Sequence, residues 1–67
     1  MNILINQQPK DIPDHCSLEQ LLTQVLHIPP GGLAVAVNQT VIPRSQWTSY
    51  VLNLSDNVVL IRATQGG

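Results

Sequence analysis

"SLEQLLTQVLH", residues 17–27, decides the fold of this chain, because its apolar residues keep a helical period. Leu18, Leu21, Leu22, Val25 and Leu26 fall at i, i+3, i+4, i+7 and i+8, one apolar stripe on a helix. Ser17 precedes the stripe and Gln20 follows it by three, the capping-box pattern. In that pattern the hydroxyl accepts from one orphan amide and the Gln side chain accepts from another. The helix is predicted to stop near His27, since Pro29 and Pro30 lack backbone donors and Gly31 and Gly32 favour turns. A single helix with one apolar face is not stable alone, so the rest of the chain must supply a second layer for it to cover.

Working outward, both flanks read as strands. "MNILINQ", residues 1–7, alternates, with Ile3 and Ile5 on one face and Asn2, Leu4 and Asn6 on the other. "QQPK", residues 7–10, suits a turn, and "DIPDHC", residues 11–16, is expected to form a second short strand that Pro13 confines to an edge. After the helix, "LAVAVNQTVIP", residues 33–43, reads as a hairpin: Leu33, Val35 and Val37 share one face, Ala34 and Ala36 the other, and the polar residues 38–40 break the run. "RSQWTSY", residues 44–50, is too polar for a core element and is expected to be a loop with one helical turn. "SDN", residues 55–57, makes a turn before "VVLIRA", residues 58–63, a strand apolar on both faces and therefore central. The order is strand, strand, helix, strand, strand, strand. It predicts an α+β domain spanning 1–67, a small mixed sheet covered on one face by one helix, with the first and last strands paired at its centre.

Composition narrows the function classes. A chain of 67 residues buries a limited core, and with no Phe, one Trp and one Tyr that core is aliphatic. One cysteine cannot form an internal disulfide, and Cys16, His15 and His27 fall short of four zinc ligands. The net charge of -1, with Lys10, Arg44 and Arg62 far apart in sequence, offers no basic stripe for nucleic acid. No apolar run approaches a membrane span and no leader pattern opens the chain. These features predict a soluble, cytoplasmic protein.

Little in the chain looks catalytic. His15 adjoins Cys16 but, in an extended segment, faces the opposite way, so a small buried thiol is the simpler reading of Cys16. His27 suits a helix end, Asp56 suits a turn, and Asp11, Asp14 and Glu19 form no pair. Ser17 and Ser45 lack a G-x-S-x-G setting, and the glycines form no phosphate loop. Trp47 and Tyr50, near Arg44, either cover the edge of the core or mark a contact surface. The closing "TQGG", residues 64–67, is more telling. Without Cβ atoms at Gly66 and Gly67 the segment can lie extended in a narrow cleft, and the reacting group would be the α-carboxyl itself, a carboxylate that needs activation before a nucleophile can attack it.

The element order, "LAVAVNQTVIPRSQW" at 33–47 and "SDNVVLIRATQGG" at 55–67 together resemble the ThiS-type sulfur carriers of thiamine biosynthesis, which share the ubiquitin-like β-grasp fold. The resemblance spans essentially the whole chain. One departure is the turn at Leu54-Ser55-Asp56, where the family often has an acidic-Gly-Asp sequence. The resemblance implies a protein co-substrate rather than an enzyme, with no cofactor of its own. A ThiF-type adenylating enzyme would consume ATP to activate Gly67, a persulfide-level donor would leave a thiocarboxylate there, and a ThiG-type thiazole synthase would receive the sulfur. Thr64, Gln65 and Gly66 would be read by the activating enzyme, and partners would dock on the sheet face around Leu4, Val59 and Ile61, opposite the helix. The free protein is expected to be a monomer without nucleic-acid or membrane partners. The small subunit of molybdopterin synthase and a ubiquitin-like modifier are the alternatives of similar pattern.

Overall fold

Two Asn-Gln pairs set the two hairpins of the sheet. The computed structural model describes residues 1–62, and in it Asn6 and Gln7 have φ of 48° and 68° and Asn38 and Gln39 φ of 50° and 73°. Positive φ at both central residues is what a two-residue hairpin turn of type I′ requires, and Asn tolerates it better than most non-glycine residues. The first turn joins β1 (Asn2–Ile5) to β2 (Gln8–Asp11), and the second joins β3 (Leu33–Val37) to β4 (Thr40–Val41). The last strand is β5 (Asn57–Arg62). The sheet order is β2-β1-β5-β3-β4, with β1 and β5 paired at the centre, as the sequence predicts; that pair is parallel and the remaining pairs are antiparallel.

Two expectations are corrected. The second strand lies at 8–11, where a turn was expected, and not at 11–16. The Asn6-Gln7 turn has no glycine to announce it, and it places Gln8 opposite Ile5 at once. Pro9 is accommodated because β2 is an edge strand. Ile12 then leaves the sheet and enters the core, its N–H held by the Met1 carbonyl at 2.8 Å. The second correction concerns 44–50. The expected helical turn is present as a 3-10 turn over Arg44–Gln46, but the segment also belongs to the core: Trp47 is 3% exposed and its indole Nε1 donates to the Ile42 carbonyl at 2.8 Å. That favours the core reading of Trp47 over the contact-surface one.

The helix begins as expected and then changes character. The Gln20 N–H donates to Ser17 Oγ at 3.1 Å and the Ser17 N–H to Gln20 Oε1 at 3.0 Å, completing the capping box of α1 (Leu18–Gln20). The Leu18 and Glu19 amides, two of the donors that a helix start leaves unpaired, are taken by the carbonyls of Tyr50 and Trp47 at 2.9 and 3.2 Å. From Leu21 to Val25 the winding widens to a π-helix, with Leu26 N–H donating to the Leu21 carbonyl at 2.9 Å. The Thr23 hydroxyl donates to the Glu19 carbonyl at 2.8 Å, occupying the acceptor that an α-helical Thr23 amide would use. His27, at φ 56°, ends the helix in the left-handed conformation usually given to glycine. Leu18, Leu21 and Leu22 are fully buried against Ile3, Val35, Val37 and Val58 of the sheet, whereas Val25 and Leu26 are half-buried.

Candidate functional site

The sheet buries one face under the helix and leaves the other open. Alternation along each strand puts Ile3, Val35, Val37 and Val58 inward, so Leu4, Asn57, Val59, Ile61, Ala34, Ala36 and Val41 face outward. Register makes these one patch: Val41 lies beside Ala36 and Ala36 beside Val59, Ala34 pairs with Ile61, and Leu4 pairs with Asn57. The face is open, Leu4 being 39%, Ile61 58% and Val41 69% exposed, with Val59 half-buried. Leu4, Val59 and Ile61, singled out from the sequence, are thus brought together. Val41 and the two alanines were missed, although the alternation of 33–37 already separates the alanines from the core residues.

Polar anchors hold the two ends of β5. At its start the Asp56 carboxylate, buried, accepts from Asn38 Nδ2 at 2.9 Å and from the Asn53 N–H at 2.8 Å, and Asn38 Oδ1 accepts from the Asn57 N–H at 2.9 Å. This is the turn-shaping role expected of Asp56. Midway, the Leu60 N–H donates to Asn6 Oδ1 at 2.8 Å. At its end the Arg62 guanidinium donates to the carbonyls of Gly31 at 3.1 Å and Pro29 at 3.3 Å, in the loop between helix and β3. No sequence pattern announces that last contact, because it depends on where the loop returns in space. Thr64, Gln65, Gly66 and Gly67 lie outside the described residues.

Cys16 is 3% exposed, and burial pushes its thiol above the ordinary range, so it is a protonated core residue at neutral pH. Exposed His15, at φ 61°, supplies it with no hydrogen bond; Cys16 Sγ has only a long contact of 3.5 Å to the Ser17 carbonyl. The hollow that it lines together with Pro13, Asp14, His15, Gln20, Gln24 and Val25 holds about 140 Å³, below the roughly 300 Å³ at which small-molecule sites begin. Among the described residues no three His, Cys, Asp or Glu side chains converge to hold a metal, and no helix is long and apolar enough to cross a membrane.

Comparison with known proteins gives concordant results. The model of the ThiS family matches residues 3–67. The sulfur carrier protein ThiS of Escherichia coli (strain K12) is 33% identical over 67 residues, covering all of both chains. The crystal structure of the thiamine biosynthesis protein ThiS from Geobacter metallireducens superposes with a TM-score of 0.86 over the whole of both chains, at 20% identity. That last likeness speaks for the fold, the β-grasp.

Proposed function

The chain belongs to the ThiS family and is a sulfur carrier protein of thiamine biosynthesis, not itself a catalyst, and we propose that it carries its sulfur as a thiocarboxylate on Gly67. Its partners are sulfur-transfer proteins of that synthesis. In the proposed cycle a ThiF-type enzyme binds the carrier and ATP, and a carboxylate oxygen of Gly67 attacks the α-phosphorus, releasing pyrophosphate. The resulting acyl-adenylate is the electrophile that the free carboxylate is not. A persulfide sulfur then attacks the acyl carbon and AMP leaves, giving an acyl disulfide. A second thiol takes the outer sulfur as a disulfide and leaves the thiocarboxylate on Gly67. A ThiG-type thiazole synthase receives that sulfur, and the carrier returns as the carboxylate.

The observation that most supports this reading is the position of β5. It is the central strand, it leads directly into residues 63–67, and its own Val59 and Ile61 form part of the open apolar face. A partner that covers Leu4, Val59, Ile61 and Val41 therefore covers the strand that leads into the segment it must modify. Open apolar faces on small proteins mark such contacts, and Thr64, Gln65 and Gly66 would thread the partner's cleft. The test is Gly67→Ala, which should keep the melting temperature of the wild type while loading of sulfur falls at least about tenfold, since a Cβ now enters a cleft shaped for backbone. Full loading of Gly67→Ala would count against the proposal.

A further inference from the structure

We propose that Arg62 is a positioning residue for sulfur loading: by clamping the loop at 29–32 it fixes the root of the segment that carries Gly67. The inference rests on the reading of Gly67 as the sulfur acceptor. Leu33 with Arg62 is the last register pair of the sheet. From Val59 onward β5 is paired with β3 on one side, its register with β1 being limited to Asn57 and Val58. A strand end paired on one side opens readily unless something else holds it. Asn6 Oδ1 holds the Leu60 N–H on the β1 side, and beyond Leu60 the end is held by the Arg62 side chain, whose planar fork of donors spans the Gly31 and Pro29 carbonyls.

The loop has need of this clamp. Pro29 and Pro30 contribute no N–H, and the loop closes on itself through one bond, from the Leu33 N–H to the Pro30 carbonyl at 3.1 Å. Two of its remaining carbonyls are those that Arg62 takes. The acceptors are neutral, and among the described residues Arg62 forms no ion pair, so the fork rather than the charge explains the choice of arginine.

The consequence for loading is geometric. Gly67 lies five positions beyond Arg62, a reach of at most about 18 Å. Each residue that frays from the sheet adds about 3.5 Å to that reach and loosens the placement of the carboxyl. A misplacement of about 1 Å at a reacting centre can slow a reaction by about a hundredfold. Docking of the apolar face does not involve Arg62, whose side chain lies toward the helix-side loop. Loss of the clamp should therefore leave KM for the carrier intact and lower kcat.

The experiment measures initial rates of loading against carrier concentration, using the full chain, the host's adenylating enzyme, ATP and sulfide. Arg62→Ala should lower kcat about tenfold with KM unchanged. Arg62→Lys should be almost as slow, since one ammonium cannot span both carbonyls. A Pro29→Gly/Pro30→Gly double variant, which loosens the loop but keeps Arg62, should be slow as well, and adding Arg62→Ala to it should cost nothing further. Amide exchange at Leu33 should quicken in Arg62→Ala, a readout that needs no partner. Wild-type kcat in Arg62→Ala, full rescue by Arg62→Lys, a rise confined to KM, or unchanged exchange at Leu33 would each overturn the role of Arg62 while leaving the sulfur-carrier reading in place. A wild-type protein that never loads would overturn the reading of Gly67 first, and the inference with it.

Discussion

Asp56 and Cys16 show how much single buried atoms decide in a core this small. The Asp56 carboxylate holds Asn38 Nδ2 and the Asn53 amide together, so Asp56→Ala removes two bonds and strands their donors. The expected cost is about 1 to 3 kcal/mol, read from the urea midpoint; a midpoint equal to that of the wild type would show that the turn before β5 does not need the carboxylate. The sequence suggested the turn role of Asp56 but not the reach to Asn38, which lies 18 residues away. Cys16 gives a pH dependence. Burial raises its folded-state pKa above the unfolded value, so the unfolded chain releases the proton first as pH rises. The stabilising contribution is complete below the ordinary thiol pKa and is lost between there and the higher folded value. Wild type should therefore lose stability relative to Cys16→Ala as pH is raised through that alkaline window, in paired urea titrations. Parallel curves would contradict the burial argument.

At the scale of elements, the helix and the central strands were legible because their apolar periods are long enough to exclude alternatives. Leu22, fully buried on the helix face, should cost about 2 to 5 kcal/mol as Leu22→Ala, whereas half-buried Val25 should cost clearly less as Val25→Ala. Equal costs by thermal melts would mean that the π-type turn packs as an ordinary helix end does. The widening itself was not legible, since the apolar spacing of Leu21 to Val25 is the same for either winding. β2 was misplaced for a different reason: its four residues are all exposed, so no hydrophobic alternation exists to find, and the Asn6-Gln7 turn lacks the usual glycine. Trp47 was hidden by its polar neighbours. Its burial goes with contacts made across the fold, the indole N–H donating to the Ile42 carbonyl and the carbonyls of residues 47 and 50 accepting from the helix start.

At the scale of the whole molecule, the fold separates two tasks between the two faces of one sheet. The inner face, under the helix, supplies stability; the outer face, with Leu4, Val59, Ile61 and Val41, is proposed to supply recognition. Ile61→Asp and Val41→Asp should then change unfolding free energy by no more than about 0.5 kcal/mol, as open surface sites do, while raising KM for sulfur loading about tenfold or more, as loss of an apolar contact does. Unaltered KM in both would move the docking surface elsewhere. Intact-mass spectrometry reads the chemical state of Gly67 itself, after incubation with ATP, the host's adenylating enzyme and a sulfide or persulfide source. The expected result is a gain of about 16 Da, the mass by which sulfur exceeds oxygen, confined to the peptide that contains Gly67. No gain, with the enzyme proved active on another carrier, would contradict the account.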